Sequence, residues 1–235
     1  MRSLLVVSAH SDIQLSEALE SGADALIIDL DGGVAPGADL VAFSTKARAR
    51  GAPPRLFARP RPLDSGGIDD DLAAVMAAAP DGIALPACAS GADVQRLGAK
   101  LAAFEAEHGL PDGATEIIAI ATESARALFG LASYVGASSR LVGLAFDSFA
   151  LRADVGSRSV WLPGGGLSSP YRLARDLALF AAVAAGAAPI DGAYPDAEDK
   201  AGLRAECLAA RRDGFVAKIA IDPAQVAVIN EIFSP

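Results

Sequence analysis

Cysteine is scarce. Cys88 and Cys207 are the only two, no CxxC pair occurs, and no histidine stands beside either. That argues against a disulfide framework and a zinc site, and fits a reducing, cytoplasmic compartment. Basic residues are also in the minority, 20 against 29 acidic ones, for a net charge of −9. A nucleic-acid partner would need a basic surface to exchange for counterions, so none is expected. An anionic small molecule held by a few local arginines stays open. Long apolar runs are missing too, since none reaches the roughly 18–20 residues of a bilayer span. The longest, Leu177 to Pro189, is rich in alanine, follows Arg175-Asp176 and reads as a buried helix rather than a membrane segment. The N-terminus passes from one arginine into LLVV and then polar residues, the pattern of a first strand and not of a signal peptide. Finally, there is no GxGxxG after the first strand and no P-loop.

What is present is a repeated alternation. Hydrophobic residues make up 52% of 235 positions, enough for one large core. Short apolar runs cover Ser3–Ser8, Ala25–Asp29, Arg55–Arg59, Gly82–Leu85, Glu116–Ala121, Leu141–Ala145, Ile190–Gly192 and Ala217–Ile221. They lack strict alternation, as parallel strands buried on both faces do. Ala-rich amphipathic stretches lie between them: Ser11–Ser21, Leu40–Arg50, Ile68–Ala79, Gly91–Glu107, Thr122–Tyr134, Ser169–Gly186 and Asp199–Asp213. Glycines such as Gly109, Gly186 and Gly214 close several of them. Eight strands alternating with helices predict a single (βα)8 TIM barrel over residues 1–235, with an open doubly wound sheet as the alternative.

In such a barrel, chemistry sits at the C-terminal ends of the strands. Strand two ends in Asp29-Leu30-Asp31-Gly32-Gly33, and strand three ends at Arg59 and Arg61. Strand five runs into Thr122-Glu123-Ser124, strand six into Phe146-Asp147-Ser148, and strand eight into Asp222. Carboxylates of this kind suit a hard cation such as Mg²⁺, and arginine forks suit a carboxylate or an enolate oxygen. Each has a plainer reading. Glu123, Asp147 and Asp222 could cap the following helices, and Asp29 could be a buried structural acid paired with an arginine. Cys88 reads as a small apolar filler, and His108 as a helix terminator.

The segments SGADALIIDLDGGVAP (21–36), FARPRPLDS (57–65), PDGIALP (80–86), IAIATESARAL (118–128), LVGLAFDSFALRADVG (141–156), APIDGAYPDAEDKAGLRAE (188–206) and AKIAIDPAQVAVINEIFSP (217–235) occur in order. Together they resemble the HpcH/HpaI aldolase and citrate lyase β-subunit family, relatives of malyl-CoA and citryl-CoA lyases. The resemblance implies a phosphoenolpyruvate/pyruvate-domain-like barrel that assembles as a homo-oligomer, a trimer in many members. It implies Mg²⁺-dependent cleavage or condensation of a short hydroxyacyl-CoA thioester, giving acetyl-CoA and a 2-keto acid. Arg59 matches the arginine that would stabilise an enolate, and Glu123 matches the metal-binding glutamate.

Other family positions are replaced. Ala150 stands where the family has its second metal ligand, and Phe149 where it has the preceding acid. Asp147 lies three positions earlier and is the expected compensating ligand. Asp31 is a shorter acid at a catalytic position, followed by Gly32. Ala87 and Ala89 replace a lysine and a glutamate, while Arg61 and Asp222 replace an asparagine and a histidine. Arg61, Asp29 and Asp222 are the expected substrate-binding residues. Three functions fit this pattern: a lyase with a rebuilt metal site, a non-catalytic barrel used for binding or assembly, and a metal-free chemistry in which Arg61 and Asp222 serve a different acid substrate.

Overall fold

The computed structural model describes residues 1–30, 39–163 and 165–234. Its strands are β1 (Ser3–Ser8), β2 (Ala25–Asp29), β3 (Arg55–Arg59), β4 (Gly82–Leu85), β5 (Glu116–Ile120), β6 (Leu141–Ala145), β7 (Ala188–Asp191) and β8 (Ala217–Ala220). All are parallel and pair in chain order, and β8 returns to β1 with Leu4 opposite Ile219, so the sheet is a closed barrel. The open-sheet alternative is thereby removed. Around it run α1 (Asp12–Glu20), α2 (Leu40–Arg48), α3 (Ile68–Met76), α4 (Gly91–Glu107), α5 (Ala125–Gly130), α6 (Ser148–Val155), α7 (Ser169–Ala185), α8 (Lys200–Asp213) and α9 (Pro223–Phe233). None of these helices is long and apolar enough to cross a membrane.

Several elements differ from the sequence expectation. The helix expected over 122–134 shrinks to α5 and a 3₁₀ turn, Leu131–Tyr134, because Ser124 caps α5 by accepting from the Ala127 amide. Thr122 and Glu123 therefore stay on the loop. Two unexpected helices, α6 and α9, follow β6 and β8 directly, with Asp147 and Asp222 as their N-caps.

Both faces of the sheet are buried, which explains the continuous apolar runs. Leu4, Ile27, Phe57, Ala84, Ile118 and Ile190 fill the barrel interior. Their neighbours Leu5, Leu26, Ile28, Leu56, Ile83 and Ile117 pack outward under the helices. Phe57 takes so much of the interior that a β-carbon on Gly82 would lie 2.5 Å from its ring.

One part of the outer layer is ionic. The Lys218 ammonium, wholly buried, donates to Asp191 Oδ2 at 2.8 Å, Gly192 O at 2.6 Å and Glu206 Oε1 at 2.6 Å. Arg175 Nε joins the same carboxylate at 2.6 Å and also reaches Asp213 through Nη1 at 3.0 Å. Burial pushes the Asp191 carboxyl upward, but Lys218 and Arg175 outweigh it and hold it below the ordinary range. Removing one member of a buried network strands the others. Asp191→Ala is therefore expected to cost about 3–5 kcal/mol in urea unfolding; a loss under about 1 kcal/mol would mean that water replaces the carboxylate at little cost.

Candidate active site

Side-chain parity brings polar groups to the mouth of the barrel. β2 turns Ala25 and Ile27 inward and β3 turns Phe57 inward, so Asp29 and Arg59 share that parity at the C-terminal ends. The register sets them side by side. Arg59 Nε donates to Asp29 Oδ1 at 3.0 Å, and Nη2 donates to Asp29 Oδ2. The Nη1 donors of Arg59 have no acceptor among the described residues, so the guanidinium is oriented by Asp29 and still has donors to offer. Burial tends to lower the pKa of Arg59, but the Asp29 contact outweighs it, with smaller support from the charges of Glu123 and Asp147.

Glu123 and Asp147 reach the same region through Thr122. The wholly buried Thr122 hydroxyl accepts from the Asp147 amide at 2.8 Å and donates to the Asp147 carbonyl at 3.1 Å, clamping the end of β5 to the end of β6. The Glu123 carboxylate accepts from the Ala87 amide. Ala87 holds φ +49°, a left-handed backbone that costs a residue with a β-carbon about 1 kcal/mol. Burial raises the Glu123 pKa to about 7; the Ala87 amide and Arg59 pull it down, while the charges of Asp147 and Asp29 push it up. Asp147 Oδ1 accepts from the amides of Phe149 at 2.7 Å and Ala150 at 3.1 Å, capping α6. Asp147 Oδ2 has no hydrogen-bond donor among the described residues.

The remaining site candidates are placed differently. Arg61 turns to α3, where Nε meets Asp71 Oδ2 at 2.9 Å, and Nη2 meets Asp71 Oδ1 at 2.8 Å and Gly67 O at 2.9 Å. Asp222 accepts from the Ala224 amide at 2.8 Å as the cap of α9. Asp31 lies outside the described residues. Cys88 is buried, which pushes its thiol up to about 12, so it is no nucleophile. Tyr134 donates to the Cys88 carbonyl at 2.8 Å and props the loop that carries Ala87. Sequence reasoning assigned no function to Thr122 or to the Ala87 amide. The first acts through a contact 25 residues away, and the second is a backbone group with no residue signature.

A hard cation is often held by one or two carboxylates, with substrate and water completing its shell. No group of three such ligands occurs among the described residues. Glu123 and Asp147 Oδ2 nevertheless fit the smaller requirement. The crowding of Glu123 by the charges of Asp147 and Asp29 is the repulsion that a divalent cation relieves.

Residues 2–223 match the HpcH/HpaI aldolase/citrate lyase family. The chain is 32% identical over 243 residues to a (3S)-malyl-CoA thioesterase of Cereibacter sphaeroides, covering 100% of this chain and 77% of that protein. It is 26% identical over 238 residues to citrate lyase subunit beta of Leuconostoc mesenteroides subsp. cremoris, again covering 100% and 77%. The crystal structure of protein CitE from Mycobacterium tuberculosis with magnesium and acetoacetate superposes with TM-score 0.78 at 26% identity, covering 100% of this chain and 90% of that one.

The raised pKa of Glu123 sets a pH dependence. The folded protein holds this proton more tightly than the unfolded chain, whose carboxyl titrates near 4.5. Its contribution to stability is therefore complete below about pH 4.5 and is lost as pH rises through about 7. Glu123→Gln stays neutral throughout. It is expected to match the parent protein near pH 5 and to exceed it by on the order of 2 kcal/mol near pH 8.5, in metal-free thermal unfolding. An equal difference at both pH values would show that the buried charge is not the cause.

Proposed function

The chain belongs to the HpcH/HpaI aldolase/citrate lyase family, and from that premise we propose that it is a carbon–carbon lyase acting on a short hydroxyacyl-CoA thioester, with a metal site rebuilt around Asp147. The observation that carries this reading is the position of the Asp147 carboxylate. Its Oδ1 lies 3.1 Å from the amide of Ala150, the residue that lacks the expected acid, while Oδ2 is left for another partner. The acid thus stands one capping contact from the missing ligand and beside Glu123.

In this reading Glu123 and Asp147 would hold Mg²⁺, with the 2-keto acid binding beside them. Bound there, the cation would polarise the keto acid carbonyl as a Lewis acid. Arg59 presents its Nη1 donors to the thioester oxygen, where negative charge develops in the enolate, and Asp29 keeps the guanidinium from swinging away. Asp31 completes the catalytic set by resemblance. Arg61 and Asp222 hold the loops around the mouth from the anchors described above. A magnesium ion with a keto acid in CitE, and a malyl-CoA substrate in the thioesterase's name, support the same pairing of cation, small acid and CoA thioester. Assembly as a homo-oligomer and a cytoplasmic location accompany the proposal through the family alone.

The non-catalytic alternative has its own support. Ala87 and Ala89 offer only methyl groups, and the Ala87 amide already occupies one Glu123 oxygen.

A thermal-shift titration separates the two, because a ligand that binds only the folded state raises its melting temperature. Mg²⁺ and oxaloacetate together are expected to stabilise the protein more than the sum of each alone. Arg59→Ala is expected to keep that stabilisation while losing about 10²–10³-fold in turnover of a malyl- or citryl-CoA thioester. Stabilisation by CoA alone, with no turnover by the parent protein, would instead support the binding module.

A further inference from the structure

Charge is segregated along the chain. Residues 124–175 hold six of the 20 basic residues, all arginine, but two of the 29 acidic ones, which leaves 14 basic against 27 acidic residues elsewhere. Two of the six, Arg140 and Arg175, are buried in ion pairs with Glu105 and Asp191. The other four, Arg126, Arg152, Arg158 and Arg172, are exposed and have no partner among the described residues. Both acids are occupied at helix ends. Asp147 caps α6, and Asp154 accepts from the Ala125 amide at 2.7 Å where α5 begins.

The same stretch opens onto exposed apolar groups. On α7, Ala174, Ala178 and Ala182 pack inward. Leu173, Leu177 and Phe180, spaced i, i+4 and i+7, lie on the opposite side, with Leu173 59% and Phe180 64% exposed. No polar side chain follows Asp176 on this helix. A helix that is hydrophobic all round is normally covered on every side. On α5, Phe129 is 93% exposed, one turn after Arg126, and on α6 the exposed Phe149 and Val155 flank Arg152 at the same spacing.

Direct contacts join these elements into one surface. The bond from Ala125 to Asp154 ties α5 to α6. The Phe149 ring packs on Trp161, 5.6 Å between centroids, and Ser157, just past α6, shares a hydrogen bond with Tyr171 of α7. Arginine among aromatic and aliphatic side chains, with lysine absent and acids few, is the composition that sets protein interfaces apart from other surface.

The charges identify the partner. A two-fold contact of this face with itself would gather the four free arginines of each copy. The rest of the same chain, with its excess of acids, is the complement. We infer that the α5–α7 face is a self-association surface, and that it docks head-to-tail on the acidic remainder of a second copy. Head-to-tail contacts close into rings of three or more chains where the angle allows, and otherwise extend as filaments. α5 begins two residues after Glu123 and α6 one residue after Asp147, so the neighbouring copy stands beside the barrel mouth. The inference does not depend on the lyase reading.

Sedimentation velocity of the intact chain over a range of concentrations, at about 50 mM and about 500 mM NaCl, tests it. Assemblies of three or more chains are expected at low salt, weakened at least about tenfold at high salt. Arg152→Glu combined with Arg172→Glu is expected to weaken assembly at least about tenfold, and so is Phe129→Ser, with far-ultraviolet circular dichroism unchanged. Lys46→Glu combined with Lys200→Glu makes the same change of charge on exposed lysines outside this face and is expected not to weaken it. A two-fold dimer, or an assembly that tolerates the arginine changes as well as the lysine ones, would overturn the proposal. So would a chain that stays monomeric at every concentration, which leaves the face to a separate acidic protein. The salt comparison needs no substitution, so it decides even where a variant fails to fold, and assembly unmoved by salt also counts against the proposal.

Discussion

A charged side chain turned into the mouth of a closed barrel must reach water or find an opposite charge beside it, and parallel register decides which neighbours it has. β3 shows the constraint at both ends. Its inward residues are Arg55, Phe57 and Arg59, an arginine at each end of one aromatic plug. At the lower end Arg55 meets Glu116 of β5 at 2.8 Å and lies over the Phe57 ring, 5.1 Å from its centroid. At the upper end Arg59 meets Asp29, which register places directly opposite on β2. The lower pair closes the barrel, and the upper one opens onto the chemistry. Without Asp29, the Arg59 guanidinium would have no fixed direction, and the rest of the proposed site would lose its cationic wall.

The acids across the mouth are held at a cost. Glu123 is half-buried near two other carboxylates, and the backbone that donates to it adopts a left-handed conformation at Ala87. Strain and crowding of this kind persist only where surrounding structure enforces them, here the Thr122–Asp147 clamp and the Tyr134 prop. In the proposed lyase reading, a bound cation would sit among these acids and relieve their crowding. The replacements at Ala150, Phe149, Ala87 and Ala89 then read as one change. None of those four side chains carries a charge, and the acids that remain near the barrel mouth are Glu123, Asp147 and Asp29.

The barrel was legible because its signals are local and repeated. Buried parallel strands are short, apolar and β-branched, and the observed strands fall within two residues of those runs. The helices α6 and α9 escaped notice because each starts immediately after a strand, with a cap that also reads as a ligand. Asp147 and Asp222 do cap helices, and Asp147 keeps a second oxygen for another role. Arg61 sits two residues beyond Arg59, as inward parity requires, but the chain turns between Pro60 and Pro62 and its side chain finds Asp71 on α3 instead. No spacing rule reveals that, because the partner is chosen by tertiary packing.

The central claim is that Asp147 does the work of the missing ligand at position 150. It is tested most directly by calorimetric titration of Mg²⁺ in the presence of oxaloacetate, on the parent protein, Asp147→Ala and Ala150→Asp. The account predicts measurable binding to the parent, its loss in Asp147→Ala, and affinity at least tenfold tighter in Ala150→Asp. Undiminished binding in Asp147→Ala would contradict it, because the cation would then be held by other groups.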